Sequence, residues 1–231
     1  MKKEAIILAG GFGTRLKETV PDLPKCLAPV KSKPILHYII NYLIENGVDR
    51  IVFSLRYKSN LVIEFVKNNF GFIEYDFVVE KETLGTGGAL ALSLKNTKND
   101  DVIVLNGDSI FKINLNNLYN FHHKTKSSFS IALKNISNPI RYGTVELNNK
   151  GKIIYFKEKD KTLSNGLING GVYIVNKKFY LKNINNESFS LETDFLADDT
   201  DNKNIFGKIF NEYFIDIGIP EDYKRANIEL F

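Results

Sequence analysis

Apolar and polar residues alternate along the first half of the chain in the order expected of repeated strand and helix units. Short β-branched runs predict strands over 5–8, 50–55, 74–79 and 102–105. Apolar residues spaced three or four apart predict helices over 35–46, 60–69, 89–94 and 115–123. Because strands and helices follow one another in turn, the pattern predicts βαβ units and an α/β fold with a mostly parallel sheet.

The second half of the chain has a different pattern. Segments 129–133, 144–147 and 152–156 alternate with a period of two, and Asn148 to Gly151 has the composition of a hairpin turn. We therefore expect mixed or antiparallel strands that extend the parallel sheet. At 231 residues the chain is long enough for one α/β domain with a substantial core, and short for two.

A glycine cluster follows the first predicted strand directly, in the stretch Leu8-Ala9-Gly10-Gly11-Phe12-Gly13-Thr14-Arg15-Leu16. Its glycines let backbone N–H groups approach phosphate oxygens, because no Cβ stands in the way. Thr14 and Arg15 add a hydroxyl and a planar cation. The stretch predicts a phosphate-binding loop outside the carboxyl end of the first strand.

Two other phosphate-binding patterns do not fit this loop. The dinucleotide fingerprint requires a third glycine where Leu16 stands, and it has no place for the charge of Arg15. A P-loop requires a closing Gly-Lys-Ser or Gly-Lys-Thr triplet, which this stretch does not have. A glycine-rich turn with a surface arginine remains the alternative on local evidence.

A proline-rich segment without periodicity follows over 17–33, and it predicts a long loop of the kind that closes over a ligand. Lys25 lies inside it, between prolines that restrict its direction. Cys26 is the single cysteine of the chain, so no internal disulfide can form and a reducing compartment is expected. It has no base nearby in sequence to make it a nucleophile.

Further polar groups stand where other predicted strands end. Glu80 follows the third strand and leads into a second glycine-rich turn, and the fourth strand ends in Asn106-Gly107-Asp108. A carboxylate in such a position often presents an oxygen to Mg²⁺ beside phosphates, although Asp108 could instead cap a following helix. Asp216 ends a later strand in the same way. The two carboxylates together predict a Mg²⁺ site.

The charge and the hydropathy of the sequence limit the kinds of partner that the protein is expected to bind. The formal net charge of +4 is spread along the chain without a basic run, which argues against nucleic acid and suits a phosphorylated small substrate. No apolar run approaches the length of a membrane span. Residues 1–4 lead directly into the first strand and leave no room for a signal peptide, so a cytoplasmic protein is expected.

These motifs resemble the signature of the sugar nucleotidyltransferases, or nucleotide-sugar pyrophosphorylases: L-A-G-G-x-G-T-R-L followed by P-K, here Pro24-Lys25. The resemblance extends to a Leu-Gly-Thr-Gly-Gly element at 84–88 and to Asp-Ile-Gly-Ile-Pro-Glu-Asp-Tyr at 216–223. It implies a Rossmann-like three-layer α/β/α nucleotidyltransferase (GT-A-like) fold. One domain over 1–231 would comprise a nucleotide-binding half, about 1–125, and a sugar-binding half, about 126–231.

The resemblance also implies a role for each motif residue. Arg15 and Lys25 would be catalytic, and Asp108 and Asp216 would hold the metal. The nucleotide-binding residues would be Leu8, Gly10, Gly11, Gly13, Thr14, Glu80, Gly85 and Thr86. The sugar-phosphate-binding residues would be Asn106, Gly107, Tyr142, Gly143, Glu158, Lys159, Asn169, Gly170 and Glu192. Asp160 stands where the family more often has proline, which leaves the loop after Lys159 freer.

The implied reaction joins a sugar 1-phosphate to a nucleoside triphosphate, with Mg²⁺, and releases pyrophosphate. A carboxylate at Glu80, or at Glu82 as second choice, favours GTP because guanine offers adjacent N1–H and N2–H₂ donors; thymine or uracil is second. The motifs are most similar to the heptose 1-phosphate guanylyltransferase branch, which serves surface polysaccharide synthesis. Alternatives are mannose 1-phosphate, a glucose-1-phosphate thymidylyl- or uridylyltransferase, and a non-catalytic regulatory protein. A homodimer is compatible with the exposed strands.

Overall fold

A computed structural model describes residues 2–13, 16, 19–158, 164–197 and 203–230 of the chain. Its strands are β1 (Lys3–Leu8), β2 (Pro29–Val30), β3 (Lys33–Pro34), β4 (Val48–Leu55), β5 (Glu74–Val79), β6 (Asp101–Asn106), β7 (Ser109–Phe111), β8 (Phe129–Ser137), β9 (Gly143–Leu147), β10 (Ile153–Glu158), β11 (Asn165–Asn176), β12 (Ile205–Phe210) and β13 (Phe214–Asp216). Its α-helices are α1 (Ile35–Glu45), α2 (Ser59–Phe70), α3 (Gly85–Leu94), α4 (Leu115–Thr125), α5 (Lys177–Lys182) and α6 (Pro220–Glu229). A 3₁₀ turn covers Lys25–Leu27 and a π-helical segment covers Leu191–Leu196. None of the helices in these described ranges is long and apolar enough to cross a membrane.

β1 lies inside a sheet to which the described residues contribute nine strands, in the order β10-β9-β11-β6-β1-β4-β5, with β8 between β11 and β12. Strands β6, β1, β4 and β5 are parallel to one another. β11 runs antiparallel to β6, β8 and β9, and β10 antiparallel to β9. The expected parallel first half and mixed second half are both confirmed.

Both faces of β1 are buried, because its residues alternate between two hydrophobic clusters. Ala5 and Ile7 belong to the cluster that also contains apolar side chains of α1, α2 and α4. Ile6 belongs to the other cluster, with apolar side chains of α3, α5 and the π-helical segment. The uninterrupted apolar run Ala5–Leu8 is therefore explained by helices on both sides of the sheet, which confirms the three-layer architecture.

The strand order creates a crevice at the carboxyl end of β1. From β1 the chain builds β4 and β5 on one side and then returns to place β6 on the other side. The segments that follow β1 and β6 diverge at this switch point, where ligands bind in open α/β sheets. Gly107 N–H donates to the carbonyl of Leu8 (2.9 Å), and Ala9 N–H donates to that of Ser54 (2.8 Å), so the three strand ends are tied together.

The structure corrects three local predictions. α3 begins at Gly85 and not at Ala89, so the second glycine turn is itself the first turn of that helix. Asp108 is followed by β7, so its alternative role as a helix cap is wrong. The predicted strands also leave out β11, in the middle of which Asn169 and Gly170 lie where its pairing with β8 changes register.

A buried ion pair ties the amino-terminal ends of the parallel strands together. The Glu4 side chain is 3% exposed and accepts hydrogen bonds from Arg50 Nη1 (2.6 Å) and from the backbone N–H groups of Lys98 (2.7 Å) and Asn99 (2.6 Å). Arg50 also donates to Asp76 (2.9 Å). Because a buried carboxylate is stable only when its oxygens are satisfied, this cluster stabilises the end of the sheet opposite the crevice.

We expect Glu4→Gln to lower the free energy of unfolding by about 3 kcal/mol, because it leaves the Arg50 guanidinium buried without its closest counter-charge. Glu64→Gln, on the exposed face of α2, is the matched control and should change stability by less than about 0.5 kcal/mol. Urea unfolding followed by circular dichroism measures both. Equal stabilities of the two variants would contradict the structural importance of this pair.

Candidate active site

A cavity of about 350 Å³ opens at the switch point, over the carboxyl ends of β1, β4 and β6. The residues that line it include most of the predicted nucleotide-side residues, namely Leu8, Gly10, Gly11, Gly13, Glu80, Gly85 and Thr86. Lys25, Asn106, Gly107, Asp108 and Glu192 line it as well. Thr14, Arg15 and Lys159 lie outside the described residues.

One lysine bridges the two predicted metal-binding carboxylates beside this cavity. Lys25 Nζ lies 2.5 Å from Asp108 Oδ2 and 3.5 Å from Asp216 Oδ1, and the lysine side chain is only 12% exposed. The 3₁₀ turn after Pro24 carries Lys25, while the antiparallel pair β7–β13 aligns Asp216 with Ser109, the neighbour of Asp108. Three segments far apart in the chain thus bring one cation and two carboxylates together.

Burial and mutual repulsion act on this carboxylate pair. Burial, and then the charge of Asp108, raise the pKa of Asp216; Lys25 and the Gly218 N–H, which donates to Asp216 Oδ1 (2.7 Å), oppose the rise. A single ammonium group does not offset the charge of two partly buried carboxylates completely. The site therefore attracts further positive charge.

The donor set fits a divalent cation only in part. Asp108 and Asp216 offer hard oxygen ligands from two strand ends, the ligand type that Mg²⁺ prefers. Within the described ranges, no group of three or more His, Cys, Asp and Glu residues is placed to hold a metal ion. The pair fits a cation whose remaining ligands come from phosphates and water.

Cys26 follows Lys25 and also lines the cavity. Burial, with a smaller contribution from the negative charge of Asp108, raises the pKa of its thiol to about 12. Because the thiolate is the nucleophilic form, this burial disfavours a nucleophilic role for Cys26.

The second glycine turn packs against a segment from the other half of the chain. Gly87 N–H donates to the carbonyl of Phe189 (3.0 Å), and Phe189 N–H donates to that of Leu84 (2.9 Å). A Cβ on Gly88 would lie 2.1 Å from the carbonyl oxygen of Glu187. These glycines are needed because backbone approaches backbone, a reason that the local sequence does not reveal.

The same contact positions Glu192. Thr86 Oγ1 donates to Glu192 Oε2 (2.8 Å) and accepts from the Leu191 N–H (2.8 Å). Ser190 Oγ also donates to Glu192 Oε2 (3.2 Å). A residue predicted for the nucleotide side and a residue predicted for the sugar side are therefore in direct contact.

The remaining predicted sugar-side residues of the described ranges do not line this cavity. Asn169 donates to the Tyr173 hydroxyl (2.8 Å) inside β11 and accepts from Gly171 N–H (3.0 Å). The Tyr142 ring packs edge-on against Phe214, and burial together with the charge of Asp216 raises the pKa of Tyr142 to about 12. Gly143 pairs with Glu158 at the ends of β9 and β10.

Sequence reasoning missed other residues in the cavity wall. Ser54, Arg56, Phe12 and Thr83 all line it. Ser54 and Arg56 flank the end of β4, so the strand-end argument that selected Asp108 could have selected them. β4 is not followed by a glycine-containing turn, which is the signal that marked the ends of β1, β5 and β6 as candidate sites.

The fold and this cavity define an α/β protein with a cavity at the switch point of its sheet, the place where open α/β sheets bind ligands. Residues 4–230 match the family model described as nucleotidyl transferase. The chain belongs to the nucleotidyl transferase family, which confirms the resemblance drawn from its motifs.

Individual relatives agree over nearly the full length. The chain is 42% identical over 227 residues to the D-glycero-alpha-D-manno-heptose 1-phosphate guanylyltransferase of Aneurinibacillus thermoaerophilus, covering 98% of each chain. It is 41% identical over 220 residues to the protein of the same name from Campylobacter jejuni, covering 95% of this chain and 96% of the relative. The crystal structure of HddC from Yersinia pseudotuberculosis superimposes with a TM-score of 0.89 at 33% identity, covering 99% of this chain and 100% of HddC. HddC complexed with GMP-PN gives a TM-score of 0.87 with the same coverage.

We expect Gly88→Ala to lower the free energy of unfolding by about 2 kcal/mol, because its methyl group would displace the Glu187 carbonyl. Alanine is otherwise the better helix former, so a loss of stability reports the packing and not the propensity. Gly11→Ala is the control, since a Cβ there would meet nothing within 4 Å. Chemical denaturation measures both variants. A Gly88→Ala protein as stable as the wild type would show that the segment at 187–189 does not press on this turn.

Proposed function

We propose that the protein joins GTP and D-glycero-α-D-manno-heptose 1-phosphate to give GDP-heptose and pyrophosphate. The observation that carries the proposal is the meeting of Lys25, Asp108 and Asp216 beside a cavity lined by both glycine turns. The guanine and heptose parts are supported by the relatives named above as heptose 1-phosphate guanylyltransferases, at 41% and 42% identity. The HddC structure with GMP-PN supports the guanine part further.

The reaction needs charge neutralisation and positioning more than proton transfer. An oxygen of the sugar 1-phosphate attacks the α-phosphorus of GTP in line, and pyrophosphate leaves. The nucleophile is already an anion, so no protein base is required. The protein has to hold two polyanions at attack distance and stabilise the negative charge that spreads over the transferring group. In this proposal Lys25 turns from the carboxylates toward the phosphates near the reacting centre, and Arg15 neutralises the triphosphate.

Asp108 and Asp216 are the residues that would hold Mg²⁺. When bound, the ion would neutralise phosphate oxygens and favour departure of pyrophosphate. The two carboxylates would supply part of its ligand set. Lys25 Nζ lies within ion-pair distance of both carboxylates, so positive charge is already favourable at this position.

The two halves of the chain would divide the substrates between them. The nucleotide side is assigned to residues 1–125 and the sugar side to residues 126–231 within one domain. Asn106, Gly107 and Glu192 would contact the sugar phosphate from the cavity wall, and Lys159 would bind its phosphate. Tyr142, Gly143, Glu158, Asn169 and Gly170 would complete that side. The Thr86–Glu192 hydrogen bond supports a shared site between the halves.

A panel of substrates tests the reaction. Purified protein is incubated with Mg²⁺, with one of GTP, UTP, dTTP or CTP, and with heptose, mannose or glucose 1-phosphate, while pyrophosphate release is followed. We expect the highest kcat/KM for GTP with the heptose 1-phosphate. Fastest release with a pyrimidine triphosphate would contradict the guanine assignment. Fastest release with mannose 1-phosphate would contradict the heptose assignment, and absence of release with every pair would indicate a non-catalytic regulatory protein.

Removing the Lys25 charge tests its role. We expect Lys25→Met to lower kcat on the order of 10²- to 10³-fold, because the variant lacks a charge that stabilises the transition state. The control is Lys33→Met, on β3 and outside the cavity wall, with an expected change of less than about twofold. Thermal unfolding of both variants separates a loss of chemistry from a loss of folding. Turnover of a folded Lys25→Met protein within a few-fold of wild type would exclude Lys25 from the reaction.

A further inference from the structure

Ser54 and Arg56, two polar residues at the end of β4, line the cavity and indicate that it recognises a polar ligand. Ser54 is 1% exposed, and its Oγ has no hydrogen-bond partner within the described part of the chain. It lines the cavity beside Leu8, its partner in the β1–β4 register. A buried hydroxyl without a partner costs free energy, so its presence in a ligand cavity indicates that a ligand satisfies it.

Arg56 lies two residues farther along the same wall. Its guanidinium carbon is 4.7 Å from the centre of the Phe12 ring, and the Tyr57 ring also contacts Phe12, with 5.2 Å between ring centres. Among the described residues, the guanidinium makes this contact and no hydrogen bond. The stacked ring fixes the plane of the guanidinium while its N–H donors stay available.

Glu80 faces the same space. Its Oε2 accepts from the Leu84 N–H (3.2 Å), which leaves lone pairs on both carboxylate oxygens for further donors. A Cβ on Gly10 would lie 2.9 Å from Glu80 Oε1 and 3.3 Å from Arg56 Cβ, so Glu80 and Arg56 are neighbours at Gly10. One part of the wall thus offers donors, and the adjacent part offers acceptors.

Guanine is the base whose hydrogen-bonding edges match this arrangement of donors and acceptors in the cavity wall. Its O6 and N7 are adjacent acceptors that a guanidinium binds with two hydrogen bonds, and its N1–H and N2–H₂ are adjacent donors that suit a carboxylate. Adenine places an amino group where Arg56 requires an acceptor. Uracil and thymine alternate acceptor, donor and acceptor, which leaves one of the two charged groups without a partner.

We propose that Arg56 and Ser54 donate to the O6/N7 edge of guanine while Glu80 accepts from its N1–H and N2–H₂ edge. This inference deepens the proposed function and rests on its choice of GTP. Phe12 acts as a positioning residue that holds the Arg56 plane. Arg56 and Ser54 determine base specificity and take no part in the transfer chemistry.

The test is equilibrium binding of GTP, 7-deaza-GTP and ITP by calorimetry, without sugar phosphate. 7-Deaza-GTP lacks the N7 acceptor and ITP lacks the N2 amino group. We expect wild type to bind each analogue about 10- to 100-fold more weakly than GTP. Arg56→Met should lose a similar factor for GTP and should no longer distinguish GTP from 7-deaza-GTP. It should still distinguish ITP through Glu80.

Two further variants separate base recognition from simple charge. Arg56→Lys keeps the charge but not the two-pronged geometry, so it should also fail to distinguish 7-deaza-GTP. Ser54→Ala should bind GTP several-fold more weakly without loss of thermal stability, because the hydroxyl has no partner to lose. Lys58→Met is the matched control, since its amino group donates to the Asp22 carbonyl and the residue lies outside the cavity wall.

Contrary outcomes identify which proposal fails. If the Arg56 variants lower affinity for GTP, 7-deaza-GTP and UTP by the same factor, Arg56 binds phosphate and the inference is wrong. If wild type binds GTP and 7-deaza-GTP equally, the O6/N7 assignment is wrong while GTP use stands. Unchanged GTP affinity of Ser54→Ala would remove Ser54 from the assignment. If wild type binds UTP or dTTP and not GTP, the proposed function fails, and the inference with it.

Discussion

Repulsion between two partly buried carboxylates is the constraint on which the site depends. Asp108 directly precedes β7 and Asp216 ends β13, and the antiparallel β7–β13 pairing places them side by side. Burial, and then the negative charge of Asp108, raise the pKa of Asp216. Lys25 supplies part of the missing charge from a third segment. A site that needs positive charge in this way is also one where anionic substrates and a cation can assemble together.

The second glycine turn joins the two halves of the chain through the same cavity. Its glycines at 85, 87 and 88 lie where a Cβ would meet backbone or ring atoms of 187–189. This close approach brings Thr86 within hydrogen-bond distance of Glu192. A movement of the segment around Glu192 would therefore be transmitted to the first turn of α3, next to Glu80. The first turn of α3 and the segment around Glu192 are therefore in direct contact, with no intervening element.

Stability and recognition use opposite ends of the parallel strands. At the amino-terminal end, Glu4 and Arg50 satisfy each other and the neighbouring backbone in a buried cluster. At the carboxyl end, the buried Ser54 hydroxyl has no hydrogen-bond partner among the described residues. Ser54 lines the cavity, where a ligand or water can reach its hydroxyl. The asymmetry follows from strand direction, because parallel strands present all their carboxyl ends at one edge.

The sequence by itself determined the four parallel strands β1, β4, β5 and β6, the helices α1 to α4 and the glycine loop after β1, because each is a local pattern of a few consecutive residues. Apolar runs such as Ala5–Ile7 predicted burial on both faces, and the position of Asp108 after β6 placed it at the crevice. Tertiary structure alone decided which strand ends meet. The Lys25–Asp216 approach, the packing of Gly88 on Glu187, and the placement of Arg56 beside Glu80 join segments far apart in the chain. Periodicity carries no information on such contacts, since they depend on strand order and register, which only the assembled sheet defines.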